Sequence, residues 1–280
     1  MYLVLAKYKE NIKWSNIIKN KIIYSKNKDE HNYVPERFGE HSSYLKYIID
    51  NYDNLHEWTL FAHAHEKHWH HSQSLYKSLS IDTNVLLKNN IKYLSINHID
   101  WDLYSSEKLP KNNNYPHPMC WVDFSLEYNN LHPQWLDVKT INLTLEKIFN
   151  KKFNITKQKF PQSCQFIVHK SRILNNSRNF YKKCYYWSLY DNIALKIKPN
   201  KNFNDYQSIT GPFIFEYIFH YILGENLYME MPIINNEQIV FYEQLPFKNY
   251  DIFYKLNNIL IINNIKNIIH IFKTSYNKYS

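Results

Sequence analysis

Four short apolar runs separated by helical patterns constrain the fold of this chain more than any other feature. The runs are YLVLA (2–6), KIIYS (21–25), WTLFAHA (58–64) and IKYLSI (91–96). Continuous apolar runs of this length are typical of strands buried on both faces. Between them, helices are predicted over 11–20, 39–55 and 75–88. Strands that alternate with helices predict an α/β fold with a wound, mainly parallel sheet flanked by helices.

The rest of the chain is less regular. Four prolines fall within residues 103–134, which predicts an irregular insertion. Helices are predicted over 134–150, 171–190 and 211–224, and SCQFIVHKSRI (163–173) contains a further strand. We therefore predict one α/β catalytic-type domain over residues 1–225. Residues 226–280 are predicted to form a C-terminal extension packed on that domain.

Charge and cysteine content narrow the classes of partner. The formal net charge is +9, but the lysines are scattered and no arginine-rich block occurs, so nucleic acid is not the expected partner. An anionic ligand such as a nucleotide diphosphate fits the charge. The three cysteines lack CxxC spacing, which argues against a disulfide framework or a zinc knuckle. No run approaches the roughly 20 apolar residues of a membrane span, so we expect a cytoplasmic protein.

Polar side chains follow each of the four predicted strands. Parallel sheets bind ligands beyond the carboxyl ends of their strands, so these side chains are expected to share one rim. They are Lys7, Tyr8 and Glu10 after the first strand, Ser25 and Lys26 after the second, His63 and His65 after the third, and Asp100 and Asp102 after the fourth.

The segment FAHAHEKHWHH (61–71) contains five histidines. Strand alternation turns His63 and His65 to the same face, and paired imidazoles with a nearby carboxylate form a common divalent-metal site. Asp100 and Asp102 form a DxD pattern, which in nucleotide-sugar transferases holds a divalent cation against the leaving diphosphate. We predict Mn²⁺ or Mg²⁺ as the ion. Structural hydrogen bonds around the strand end are predicted for the other three histidines, His68, His70 and His71.

A late apolar helix carries an acid and a histidine. In FIFEYIFH, Glu216 and His220 are four residues apart and share a helical face. Burying them without partners would cost several kcal/mol, so they either form a structural pair or line a functional cavity. The chain has only three glycines. Gly39 precedes the helix that carries Glu40, and the other two bracket the helix that carries Glu216.

Five longer motifs occur in a fixed order along residues 2–225: LVLAKYKENIKW, RFGEHSSYLKYIIDNYDNL, TLFAHAHEKHWH, QFIVHKSRI and GPFIFEYIFHYILG. In order and spacing they resemble a widespread family catalogued as a domain of unknown function. The chain departs from the family pattern at three places. Asn11 stands where an acid is usual, His169 or Lys170 where a serine is usual, and Phe219 where a tryptophan is usual.

That family is similar in layout to sugar transferases of the GT-A class. The resemblance implies a GT-A-like fold with His63 and His65 in the place of the expected DxD motif, holding either a metal or the diphosphate itself. We therefore expect a glycosyltransferase that moves a sugar from a nucleotide-sugar donor to a glycan or another hydroxyl acceptor. The expected roles are donor binding by Tyr8, Glu10, Lys26 and Glu40, metal binding by His63, His65, Asp100 and Asp102, and catalysis by Glu216 with His220 beside it.

Two other functions fit parts of the sequence. HAHEKH has the HxHxxH spacing of binuclear metallohydrolases, although Lys67 stands where that pattern has a ligating aspartate. A metal-dependent hydrolase would use His63 and His65 to activate water. A carbohydrate-binding module without catalytic activity would use the histidines and the aromatic content of 17%.

Overall fold

The computed structural model describes residues 1–35, 39–66, 74–96, 121–124, 138–155, 158–161, 164–190 and 210–227. A five-stranded sheet lies at the centre. Its strands are β1 (Tyr2–Lys7), β2 (Lys21–Ser25), β3 (Trp58–His63), β4 (Tyr93–Ser95) and β7 (Phe166–His169). A second sheet pairs β5 (Trp121–Phe124) with β6 (Gln158–Pro161) in antiparallel orientation.

The central sheet has the strand order β2-β1-β3-β7-β4. Its core is parallel because β1 pairs with β2 and with β3 in the same direction. The fourth strand, β7, runs antiparallel to both β3 and β4. The α/β class and the helix-flanked sheet are as predicted, but the sheet is mixed.

Helices cover both faces of the sheet. On one face, α1 (His41–Asp50), α4 (Val138–Phe149), α6 (Arg178–Tyr190) and α7 (Thr210–Ile222) share a core with Val4 and Phe61. On the other face, α2 (Leu75–Leu79) and α3 (Thr83–Lys88) pack against Leu3 and Leu60. Strand residues alternate between the two cores, which explains why the strands are apolar throughout. The short helix α5 (Lys170–Ile173) follows β7 directly.

Several predicted elements differ in extent. The helix expected over 11–20 is a short 3-10 helix (Lys13–Ile17), and Asn11 accepts a hydrogen bond from the Lys13 amide at 3.0 Å. The helix expected over 75–88 is two helices because Asp82 caps α3 by accepting from the Asn84 amide at 2.9 Å. The helix expected over 171–190 is likewise divided into α5 and α6.

Two further predictions concern the less regular parts of the chain. The segment expected to be an irregular insertion, 103–134, contains β5, so part of it is regular. The predicted C-terminal extension lies outside the described residues from position 228 onward. Within the described parts of the chain, no helix is both long enough and apolar enough to cross a membrane.

The order of the strands defines a crevice. From β1 the chain moves to β2 on one side and then crosses to β3 on the other side. Open α/β sheets bind ligands at such a switch point, beyond the carboxyl ends of the strands. A ligand-binding crevice is therefore expected beyond the carboxyl ends of β1 and β3, next to Lys7 and His63.

Candidate functional site

An ion pair joins the start of helix α1 to the end of strand β3. Gly39 has a φ of 51° and forms the turn before α1. Glu40 follows it as the residue that immediately precedes the helix. His63 is the last residue of β3. The Glu40 Oε1 atom lies 3.1 Å from the His63 Nε2 atom, and both side chains are less than one-fifth exposed.

The electrostatics of this pair favour the charged forms. Burial alone would raise the pKa of Glu40, but the charges of His63 and His41 and the hydrogen bond from His63 hold it well below its usual range. Burial would lower the pKa of His63, but Glu40 raises it, with smaller contributions from Glu216 and Glu10. The Glu40 carboxylate therefore favours the charged form of the His63 imidazole.

Helix α7 brings Glu216 within electrostatic range of His63. His41, which is 1% exposed, packs between α1 and α7, with its ring centroid 5.9 Å from that of Phe215 and 5.7 Å from that of Phe219. The charge of Glu216 acts on His63 and also raises the pKa of the buried Cys164 thiol, after burial and Glu40. Residues separated by more than 150 positions in the sequence thus converge on one crevice.

The first strand end contributes Tyr8 and Glu10. The Glu10 carboxylate accepts a hydrogen bond from the Tyr8 amide at 2.5 Å, and Glu10 Oε1 lies 3.9 Å from Nδ1 of His65. The Tyr8 ring is 42% exposed, and the Lys9 ammonium lies 4.8 Å from its centroid. The turns after β1 and β3 are therefore linked, and an exposed aromatic ring stands at their edge.

Trp14 fixes the end of β3 from the opposite side. Its Nε1 atom donates to the carbonyl oxygen of Ala64 at 2.8 Å. The Tyr76 hydroxyl in turn donates to the Trp14 carbonyl oxygen. The chain between His63 and His65 is thus anchored by the 3-10 helix and by α2.

The two lysines predicted at the rim have different partners. Lys7 is neutralised by Glu30, with distances of 2.5 and 2.7 Å from its Nζ atom to the two carboxylate oxygens. Lys26 donates to the hydroxyl of Ser42 at 2.6 Å and to the carbonyl oxygen of Pro35 at 3.4 Å. Lys26 therefore lies beside the first turn of α1, near Glu40.

One residue of the site was missed by the sequence analysis. Gln165 is fully buried, and its Oε1 atom accepts a hydrogen bond from the His63 amide at 3.1 Å. Its Nε2 atom is buried and has no hydrogen-bond partner within the described parts of the chain. The signal was present because Gln165 begins the QFIVHKSRI motif, but a parallel strand would have carried it to the opposite edge.

His220 does not line the crevice with Glu216. It is 2% exposed, and its ring contacts the backbone of Asn226 and Leu227. Burial lowers its pKa to about 3, against the opposing effect of those backbone contacts, so the imidazole is neutral at ordinary pH. Its position favours a structural role at the end of α7, and its catalytic role stays a prediction.

The described residues do not assemble a metal centre. Among them, no group of three or more His, Cys, Asp or Glu side chains is arranged to hold an ion. The His63 Nε2 atom lies 3.1 Å from the Glu40 carboxylate, which favours the protonated form of the imidazole over the metal-binding form. His63 and His65 lie near different carboxylates, Glu40 and Glu10. The predicted ligands Asp100 and Asp102 lie outside the described residues.

Comparison with known proteins places the chain in a family. Residues 3–232 match the family described as "Protein of unknown function (DUF3431)". Because this match spans most of the 280 residues, the chain belongs to that family. No curated protein and no solved structure shows significant similarity to it.

Proposed function

We propose that the chain is a glycosyltransferase of GT-A type that moves a sugar from a nucleotide-sugar donor to an acceptor hydroxyl. The proposal is carried by the Glu40–His63 pair, 3.1 Å apart at the switch point of the sheet, and supported by the charge of Glu216, which acts on His63. Such a crevice is where open α/β sheets bind nucleotides. A carboxylate beside an imidazolium supplies both a base and a positive charge in one place.

The end of β1 would bind the nucleoside. The half-exposed ring of Tyr8 provides a surface on which a base can stack. Glu10 is oriented by the Tyr8 amide, so a carboxylate oxygen can accept hydrogen bonds from ribose hydroxyls. The diphosphate would then extend toward His63 and Lys26, whose positive charges offset its negative charge.

The transfer step follows from these positions. Glu216 removes the proton from the acceptor hydroxyl as its oxygen attacks the anomeric carbon of the donor sugar. The bond from that carbon to the diphosphate oxygen breaks, and the diphosphate leaves with the bonding electrons. His63, held by Glu40, and Lys26 stabilise the charge that develops on the leaving oxygen. A general base contributes typically about 10² to 10⁴ in rate.

The proposal is tested by ligand binding followed by mutation. Thermal unfolding of the full chain is measured with UDP, GDP, CDP and ADP, and then with the matching nucleotide sugars, because a bound ligand raises the apparent stability. We expect at least one nucleoside diphosphate to raise the Tm. Glu216→Gln should keep this shift and lose at least about 100-fold in sugar transfer. Full transfer activity in Glu216→Gln would remove Glu216 from the mechanism.

A control variant and a second readout separate the alternatives. Glu57→Gln changes a carboxylate that is 66% exposed at the other edge of the sheet, and it should transfer sugar as the wild type does. Release of phosphate from simple phosphoesters, with no dependence on a nucleotide sugar, would indicate a hydrolase. Binding of glycans with no nucleotide affinity would indicate a carbohydrate-binding module.

A further inference from the structure

Strands β3 and β7 separate beside the crevice. Their ladder ends at the pair Phe61 and Phe166. Strand β7 stays with β4 beyond this point, since the Ile96 amide donates to the Gln165 carbonyl oxygen at 3.1 Å. On its other side β3 stays with β1, since the Ala64 amide donates to the Ala6 carbonyl oxygen at 3.1 Å. A gap therefore opens between β3 and β7 at His63.

The side chain of Gln165 bridges this gap. Its Oε1 atom accepts from the His63 amide at 3.1 Å and replaces the backbone carbonyl that a continued ladder would supply. A backbone amide only donates, so this contact fixes which end of the Gln165 amide is oxygen. The Nε2 atom is thereby left as a donor close to His63, and it has no hydrogen-bond partner among the residues that the structure describes.

Buried donors without partners are rare in native proteins, so this one calls for an explanation. The residue before Gln165 adds a second unusual feature. Cys164 is a buried non-glycine residue with a φ of 34°, a strained conformation that is concentrated at functional sites. Two independent features at the start of β7 thus point to a role for this segment in the crevice.

The surrounding charge identifies the chemical class of the missing partner. The charges of Glu40 and Glu216 both reach Cys164, the immediate neighbour of Gln165. A neutral hydroxyl group can accept from the Gln165 amide and donate to one of the carboxylates at the same time.

We propose that Gln165 is a sugar-binding residue, anchored on the His63 amide through Oε1 and donating through Nε2 to a hydroxyl oxygen of the sugar. The inference rests on the proposed function, because it locates the sugar-binding part of the same crevice. Beyond Phe61 and Phe166, the described residues of β3 and β7 are joined by the hydrogen bond from the His63 amide to Gln165, so this side chain takes the place of the ladder.

Substitution of one atom tests the proposal. Gln165→Glu keeps the oxygen that accepts from the His63 amide and removes the donor. Binding of methyl α-glucoside, methyl α-galactoside and methyl α-mannoside to the full chain is measured by ligand-observed NMR. We expect at least one glycoside to bind the wild type and Gln165→Glu to bind it at least about tenfold more weakly, equivalent to about 1.4 kcal/mol.

Two further variants complete the experiment. Asn51→Asp makes the same amide-to-acid change at the far end of α1, where Asn51 Nδ2 donates to the Tyr47 carbonyl oxygen at 3.0 Å, and it should bind as the wild type does. Gln165→Met removes donor and acceptor without adding charge, and it should also lose binding. If Gln165→Glu does not fold by thermal unfolding, Gln165→Met decides the result.

The outcomes separate this inference from the proposed function. Equal glycoside affinity in the wild type and in the folded Gln165 variants, or no glycoside binding by the wild type, overturns the role of Gln165. Glycoside binding that depends on Gln165, together with no transfer from any nucleotide sugar, retains the sugar site and overturns the transferase. Transfer at the wild-type rate in Gln165→Glu retains the transferase and overturns the role of Gln165.

Discussion

The two edges of the central sheet each pair a histidine with a glutamate, and the pairs behave oppositely. At the carboxyl edge, Glu40 and His63 are both largely buried and 3.1 Å apart. At the other edge, the His169 side chain is 14% exposed, but its partner Glu57 is 66% exposed and 3.9 Å away. The pKa of His63 is raised, whereas that of His169 is lowered by burial and by the charges of Lys92 and Lys170, which outweigh Glu57.

This difference shows that a nearby carboxylate alone does not hold an imidazole in its charged form. The carboxylate must be desolvated with it, so that solvent does not screen the attraction. His169 instead has a local structural role: it caps α5 by accepting from the Ser171 amide at 3.2 Å. The carboxyl edge is therefore the one with an electrostatically prepared site.

The largest expected difference between the two edges is in the free energy of unfolding that is lost when the glutamate of each pair is replaced. Glu40→Gln leaves a buried imidazole without its counter-ion, and we expect it to lower the free energy of unfolding by about 3 kcal/mol. Glu57→Gln should change it by less than about 0.5 kcal/mol because exposed pairs contribute little. Urea unfolding of both variants measures the contrast. Equal effects would show that the Glu40–His63 pair is not buried as described.

The pH dependence of stability should also have opposite signs at the two edges. The contribution of Glu40 is present above its ordinary pKa of 4.5 and is lost as the pH falls toward its lowered folded pKa. That of His63 is present below its ordinary pKa of 6.5 and is lost as the pH rises through its raised folded pKa. The pair should therefore stabilise the fold most between these two ordinary values. The lowered pKa of His169 makes its contribution fall as the pH drops below 6.5.

Urea unfolding at several pH values checks this prediction. The stability difference between the wild type and Glu40→Gln should be largest near pH 5.5 and should shrink toward about pH 8. The wild type should lose more stability than His169→Asn as the pH falls below about 6.5. A difference between wild type and Glu40→Gln that grows with rising pH would mean that His63 is neutral in the folded protein.

The smallest expected difference is in the stability lost when a tryptophan at each edge is replaced by phenylalanine. Trp14 donates to the Ala64 carbonyl oxygen at 2.8 Å, whereas the buried Nε1 atom of Trp58 has no hydrogen-bond partner. Trp14→Phe loses ring volume and a hydrogen bond, but Trp58→Phe loses only ring volume and an unsatisfied donor. Trp14→Phe should therefore be less stable than Trp58→Phe by about 1 kcal/mol. The reverse order in thermal unfolding would contradict the anchoring of the β3 end.

The parallel core of the sheet was predictable from sequence, and strand direction at β7 was not. Buried runs such as YLVLA and KIIYS show that strands exist, and their helical connections imply parallel pairing. An apolar run does not indicate the direction of its strand, so the direction of QFIVH within the predicted, mainly parallel sheet could not be read from sequence. The antiparallel orientation brings Gln165 to the crevice and takes His169 to the other edge.

In the site, too, positions next to a predicted strand could be predicted from sequence, whereas contacts between distant elements could not. Tyr8, Glu10 and His63 follow strands that the sequence identifies, so their placement at one rim was predicted. The partners of these residues depend on how helices pack. Helical spacing placed His220 beside Glu216, but the turn after α7 encloses His220. The metal site inferred from two alternate histidines likewise could not anticipate that each lies near its own glutamate.

A crystal structure of the chain with the nucleoside diphosphate that most raises its Tm tests the central claim most directly. The account predicts the base against Tyr8, the diphosphate beside His63 and Lys26, and the Glu216 carboxylate facing the position of the transferred sugar. A nucleotide bound elsewhere on the sheet, with the Glu40–His63 pair untouched, would contradict it.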